Sequence, residues 1–171
     1  ILYNTIREAS IRDPLLSIYN RKYFYDKIES IIEKYPKKIF AVVMIDFDDF
    51  KRINDLYGHQ FGDKVLIETV KLIQKNIDKK DILARYGGEE IIIYIDNVIN
   101  YNNIAKKIDS IRFKISKNIV KLNDIEKSIT VSFGLSFYPN DGSNIEQVIY
   151  IADQMLYAAK KSGKNRTCSS V

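Results

Sequence analysis

The chain is expected to fold as an α+β domain of the split βαβ kind, a ferredoxin-like antiparallel central sheet with surrounding helices. Three observations lead there. The periodicities along the sequence run strand, helix, strand, strand, helix, strand, helix. Residues Ile39 to Ile45 form an unbroken apolar run, the pattern of a strand buried on both faces. Gly87-Gly88 joins Ile82-Leu83-Ala84-Arg85-Tyr86 to Ile91-Ile92-Ile93-Tyr94-Ile95. Both flanks are rich in β-branched and aromatic residues, and a Gly-Gly pair supplies the positive φ angles of a two-residue hairpin turn.

Leu2, Ile6 and Ala9 recur at helical spacing and predict a lead-in helix over 1–12, ended by Asp13-Pro14 because proline disfavours a helical residue before it. From Asn20, an amphipathic stripe of Phe24, Ile28, Ile31, Ile32 and Tyr35 stops at Pro36. The buried run then ends in Asp46-Phe47-Asp48-Asp49, and carboxylates at the end of a buried strand need a reason. A short helix is expected around Asp49 to Leu56, closed by Gly58. Gly58-His59 and Gly62-Asp63 break the pattern before a longer helix with Leu66, Val70, Ile73 and Ile77 on its inner face. After the hairpin, Ile104, Ile108, Ile111 and Ile115 mark another helix. Ile129, Val131, Phe133, Leu135 and Phe137 alternate with Thr130, Ser132, Gly134 and Ser136 as a strand. Ser143-Asn144-Ile145-Glu146 reads as a capping box opening a last helix that runs toward Gly163.

With 171 residues, 46% hydrophobic and 29% charged, the sequence fits one globular domain over 13–171 able to bury its own core. The net charge of +5 favours anionic partners, yet lysines and acids are interspersed along the helices instead of gathered in one arm. Cys168 is the only cysteine, which excludes an internal disulfide, and with no His/Cys cluster a zinc site is not expected. No apolar run approaches the ~20 residues that span a bilayer and no signal-peptide pattern opens the chain, so a cytoplasmic domain without direct membrane contact is expected. Ile1 opens the chain without a methionine. A piece of a longer protein is therefore expected, with a sensory domain or membrane anchor upstream.

In the split βαβ order the first and third strands are antiparallel neighbours at the centre of the sheet, which brings Asp46 beside Glu89 although they are far apart in sequence. Two carboxylates so close would repel, raising one pKa, unless a cation lies between them. A hard divalent ion with oxygen ligands is the economical answer. Mg²⁺, with Mn²⁺ as its substitute, keeps several waters and is completed by substrate phosphates, which points to a nucleoside triphosphate. The plain alternative is an acidic pair that caps helices. Lys51, Lys160, Lys161 and Lys164 can neutralise phosphate, and Asn54 and Asp63 offer donors and acceptors to a base edge. Each has a structural counterpart: lysines at a helix C-terminus complement its dipole, Asn54 can end a helix, and His59 can be a structural hydrogen-bonder.

Taken together, these residues resemble the GGDEF family, the diguanylate cyclases that join two GTP molecules into cyclic di-GMP, a bacterial second messenger. The likeness covers residues 13 to 166. It rests on Asp13-Pro14-Leu15 with Asn20-Arg21, on Asp46 through Lys51 with Asn54-Asp55, Gly58-His59 and Gly62-Asp63, on Gly87-Gly88-Glu89-Glu90, on Thr130 through Gly134, and on Ala152-Asp153 through Tyr157-Ala158-Ala159-Lys160 to Gly163-Lys164-Asn165. The resemblance implies a palm-type sheet. It implies that Asp46, the Phe47 carbonyl and Glu89 hold Mg²⁺, that Asn54 and Asp63 read guanine with His59 shaping the pocket, and that Gly87 and Gly88 let substrate approach. It further implies that Lys51, Lys160 and Lys164 serve the phosphates, that Glu89 assists deprotonation of the attacking 3′-hydroxyl, and that two domains must face each other as a homodimer.

The sequence also departs from the family pattern. Ile91 replaces the phenylalanine after the acids, Lys164 stands where an arginine is common, and Leu16-Ser17 replace Thr-Gly near the start. The Arg-x-x-Asp of the family's product-inhibition site reads Asp78-Lys79-Lys80-Asp81, so that site is expected to lack its arginine. Two other readings stand beside the cyclase: a degenerate domain that binds GTP as a sensor without turnover, and a basic nucleic-acid-binding domain on the same topology. Acids beside the groove oppose the second.

Overall fold

The protein, seen as a computed structural model, is described over residues 10–171. The lead-in helix expected over 1–12 rests on Leu2, Ile6 and Ala9, which lie outside the described residues. The apolar run becomes strand β2, here the second after the two-residue β1 (Tyr19–Asn20), and it spans Phe40–Phe47. Ile39 is exposed and precedes it, while Asp46 and Phe47 belong to it. Strands β3 (Ile82–Arg85), β4 (Glu90–Ile95) and β7 (Val131–Tyr138) complete an antiparallel centre in the order β3-β4-β2-β7. β1 beside β3 and β8 (Thr167–Ser169) beside β7 add parallel edges, making a mixed six-stranded sheet. A separate hairpin of β5 (Ile119–Leu122) and β6 (Ile125–Ser128) was not expected, although alternating residues flank an Asn123-Asp124 turn with Asn123 at φ 51°.

Alternate residues of β2 feed two cores, as the pleat requires. Val42 and Met44 join Ile92 and Tyr94 beneath helices α1 (Arg21–Lys34) and α5 (Ile145–Lys161). Val43 and Ile45 join Ile91 and Ile93 against α3 (His59–Gln74) and α4 (Tyr101–Lys117), with α2 (Phe50–Tyr57) at the end of the strand. Each fully buried Ile or Phe of these layers stabilises by about 2 kcal/mol. Ile91, fully buried, packs inward where the family pattern has phenylalanine.

The polar half of β7 does not face solvent: Ser132 and Ser136 are fully buried, the latter donating to the Val148 carbonyl at 2.7 Å. Small residues stand here because α5 presses onto the strand. A Cβ on Gly134 would lie 2.0 Å from the Ala152 carbonyl oxygen.

Four local expectations are corrected. Gly87 and Gly88 are not in the left-handed region; the hairpin turns through Gly87, Gly88 and Glu89, and Tyr86 donates to the Glu90 carbonyl at 2.9 Å. A Cβ on Gly87 would lie 2.7 Å from the Glu90 carboxylate, so glycine here leaves that carboxylate its position. Gly62-Asp63 do not interrupt the chain's helix: α3 starts at His59 and runs through both, the break being Gly58 at φ 84°. The helix cap lies one residue on, with Asn144 accepting from the Gln147 amide at 2.9 Å and Gln147 reaching back to the Ser143 amide at 2.8 Å. Tyr35 follows the last turn of α1 and is half exposed.

Ser17 adopts φ 58°, a left-handed conformation that an L side chain pays for in steric strain of about 1–2 kcal/mol. Its side chain is exposed. Ser17→Gly is therefore expected to stabilise by about 0.5 kcal/mol after allowing for glycine's freer unfolded state, measured as a higher urea midpoint at unchanged slope.

Candidate active site

Sheet pairing brings the acids together. Asp46 on β2 pairs with Glu90 on β4, with Glu89 in the bend immediately before it, and with Ser132 on β7. Glu90 therefore stands opposite Asp46, a neighbour for which the sequence expectation had Glu89. Asp46 has one carboxylate oxygen, Oδ1, that is buried and unpartnered, while Oδ2 lies 3.0 Å from the Lys160 ammonium. Its pKa is raised, first by burial and then by the charges of Glu89 and Asp48, with Lys160 opposing. Glu90 is raised as well, by burial and by Asp46, Asp153 and Glu89 against Arg21.

The raised folded pKa of Glu90 means that its charge costs stability above that value, and the cost disappears as pH falls below the ordinary glutamate pKa. Glu90→Gln is thus expected to raise the melting temperature of the metal-free protein at neutral pH, with the gain vanishing in acid; thermal melts across pH check it.

Asp48, not singled out as a site residue from the sequence, anchors the arrangement. It is buried, and its carboxylate accepts from Thr130 Oγ1 at 2.6 Å, Ser132 Oγ at 2.8 Å, the Asn165 amide at 3.0 Å and Lys160 Nζ at 2.8 Å. Burial works to raise its pKa, but the hydrogen bonds from Lys160, Thr130 and Ser132 outweigh it and hold the carboxyl below its ordinary value. The signal was in the sequence: Thr130-Val-Ser132 places two hydroxyls on one face of a strand.

Lys160, in the last turn of α5, reaches across to β2. Its ammonium donates to the Phe47 carbonyl at 3.0 Å, the Asp46 carbonyl at 3.3 Å and Asp48 Oδ1 at 2.8 Å, and forms an ion pair with Asp46 Oδ2 at 3.0 Å. Past the helix, Gly163, Lys164 and Asn165 all take positive φ, a turn that aims the Asn165 amide at Asp48 and Lys164 Nζ at Asp49 Oδ1, 2.5 Å away.

The bend of the hairpin is held from outside. Arg85 donates to the Gly88 carbonyl at 2.7 Å and 3.0 Å, to the Gly87 carbonyl at 3.2 Å, and through Nη1 to Asp13 at 3.0 Å. Asp13 in turn caps the following turn, accepting from the Leu15 and Leu16 amides.

The residues expected to meet a base lie on α2 and the start of α3. Asn54 and Gly62 touch: a Cβ at 62 would fall 1.9 Å from Asn54 Oδ1, so glycine here makes room for the amide. That Oδ1 is buried without a partner. His59 and Asp63 are exposed at the start of α3, and Lys51 is exposed on α2. No intramolecular hydrogen bond or ion pair engages the Lys51, His59 or Asp63 side chains among the described residues.

These residues fit a hard divalent ion. Asp46 Oδ1 is an orphaned buried acceptor, and the Phe47 carbonyl already faces a cation. Among the described residues no three His, Cys, Asp or Glu side chains form a ready cage, so backbone carbonyl, water and phosphate must supply the remaining ligands. At 78–81, the Asp81 side chain is almost fully buried, accepting from the Asp78 and Asp96 amides, and Lys107 pairs with Asp78 at 2.6 Å.

The fold and the site define a class: a palm-type α+β domain with carboxylates and a lysine gathered at the end of its central strand. The chain belongs to the GGDEF family, whose model, described as "Diguanylate cyclase, GGDEF domain", matches residues 10–166. It is 38% identical to the uncharacterized protein YhcK of Bacillus subtilis, across 99% of this chain and 48% of that protein. It is 31% identical to the probable diguanylate cyclase DgcT of Escherichia coli, across 91% of this chain and 34% of that protein. It thus spans about half or less of the length of these relatives. The coiled coil and GGDEF domain of DgcB from Caulobacter crescentus, solved in complex with c-di-GMP, superposes with a TM-score of 0.90 at 27% identity, covering 99% of this chain and 90% of that one. No helix among the described residues is long and apolar enough to cross a membrane.

Proposed function

We propose that residues 13–171 form a Mg²⁺-dependent diguanylate cyclase that acts as a homodimer, condensing two GTP into cyclic di-GMP with release of two pyrophosphates. The observation that carries this reading is the unpartnered Asp46 Oδ1 beside the Phe47 carbonyl, at a sheet edge that also presents Glu89 and Glu90. Asp46, the Phe47 carbonyl and Glu89 would hold the ion, which would supply Lewis-acid polarisation of the α-phosphate and charge neutralisation for the departing pyrophosphate.

The chain's own groups position the reactants. Asn54 and Asp63 address guanine, with His59 at the pocket rim and glycines at 87 and 88 admitting the substrate to the backbone. Lys51, Lys160 and Lys164 neutralise the phosphates. Glu89 accepts the proton of the 3′-hydroxyl, whose oxygen bonds to the α-phosphorus of the GTP on the facing copy as the bond to pyrophosphate breaks. Repeating this step with the roles exchanged closes the ring, which is why two domains are required.

A sensor that binds GTP without turnover is the second reading. It is favoured by Lys164, which lacks the bidentate fork of arginine and is engaged with Asp49. The test is to incubate the domain at rising concentration with GTP and Mg²⁺ and to assay cyclic di-GMP and pyrophosphate. The cyclase gives a rate per molecule that rises with concentration; tight GTP binding without product, even under forced dimerisation, selects the sensor.

A further inference from the structure

We infer that Lys160 is an internal stand-in for the divalent ion, so that ion and polyphosphate enter this site as one unit. The inference rests on the metal-nucleotide reading above and adds a rule for how its ligands are admitted. The ammonium lies 3.0 Å from the Phe47 carbonyl that would hold the ion, and 3.0 Å from Oδ2 of the Asp46 carboxylate whose other oxygen, Oδ1, is left without a partner. It also lies 2.8 Å from Asp48 Oδ1. An ammonium carries three donors and no acceptor, so it satisfies these oxygens but cannot bind to an ion placed among them. A doubly charged ion on Asp46 and Phe47 would stand within a few Å of a positive charge, in a site where burial strengthens the repulsion. Lys160 must therefore leave as the ion arrives.

The surroundings are built for that exchange. Asp48 keeps three donors after Lys160 departs, Thr130, Ser132 and the Asn165 amide, so it is not orphaned. Asp46, which has no donor other than Lys160 and one oxygen with no partner at all, is the group that gains from the ion. The lysine, on a flexible four-carbon stem at the end of α5, needs a new acceptor, and a triphosphate arriving with the ion provides one. The ion alone offers none. The two ligands therefore assist each other's binding beyond any direct bond between them.

The experiment measures Mn²⁺ binding by electron paramagnetic resonance, with and without a non-hydrolysable GTP analogue, in the chain and in Lys160→Gln. The chain is expected to bind Mn²⁺ weakly alone and much more tightly with the analogue. The variant is expected to bind Mn²⁺ alone about tenfold more tightly, with a smaller gain from the analogue. A second measurement needs no variant: amine acylation read by mass spectrometry, with exposed Lys75, outside the site, as reference. Saturating Mn²⁺ alone should increase modification of Lys160, and adding the analogue should reduce it again. Unchanged Mn²⁺-alone affinity in the variant, or Lys160 reactivity unmoved by bound Mn²⁺, overturns the inference while leaving the metal-nucleotide reading standing. Absence of Mn²⁺ binding even with the analogue overturns both.

Discussion

Glu89→Gln is expected to leave the melting temperature unchanged or slightly raised while reducing cyclic di-GMP formation by roughly a thousandfold, the scale of losing a positioned proton acceptor and a metal ligand together. Glu89 sits in the hairpin bend, where its side chain makes no hydrogen bond to the described residues, so the fold does not depend on it. Its charge acts unfavourably on both Asp46 and Glu90 in the metal-free protein. Removing it relieves that repulsion and at the same time removes a reason for the ion to bind. The measurement is a thermal melt alongside a product assay at saturating GTP. A variant that retains full turnover would show that the ion, or the base, is held by other groups, Glu90 being the first candidate from the sheet register.

Asp48→Ala is expected to act through stability. Its carboxylate is the shared acceptor of two hydroxyls, one backbone amide and the Lys160 ammonium, and truncation leaves a cation and three donors without it. Breaking a buried charge pair costs about 3 kcal/mol, which for a chain of this size lowers the melting temperature by roughly 6–12 °C. The sign with pH is fixed by the lowered pKa of Asp48. Its contribution is complete above the ordinary aspartate value and is lost as pH falls through the folded value, so the gap between parent and variant should narrow in acid. A constant gap across that range would assign the loss to packing alone. Asp48→Asn, which retains the volume and one acceptor, should lie between the two.

The hydrophobic pattern read most of the scaffold correctly. Ile39 to Ile45 reads as a strand buried on both faces because no polar residue interrupts it, and it is one except at Ile39. The helices marked by Phe24 and Ile28, by Ile104 to Ile115 and by Val148 to Leu156 bury those residues. The errors fall where local chemistry has more than one solution. Gly62 read as a helix breaker, yet it is a helical residue kept small by Asn54 from the neighbouring helix, a cause no local window contains. The alternation of β7 read correctly as a strand, but that its polar residues are buried was not legible: Gly134 and Ser136 meet α5, and Ser132 meets Asp48. Gly87-Gly88 suggested a left-handed turn, whereas neither takes a positive φ and the Glu90 carboxylate lies against Gly87.

What the sequence by itself determined is the inventory: the periodicities that set the split βαβ order, and the acids, lysines and glycines whose spacing carries the family likeness. These are local or compositional properties, written in runs of residues that each strand or helix reads independently. Only the tertiary structure decided the pairings: Asp46 opposite Glu90, Asp48 as the hub for Thr130, Ser132, Asn165 and Lys160, and Lys160 seated on the Phe47 carbonyl. The physical reason is that register and helix docking are fixed by burying two apolar layers on one sheet. Partners more than 80 residues apart in sequence, such as Asp48 and Ser132, therefore meet as a consequence of packing that no stretch of sequence records alone.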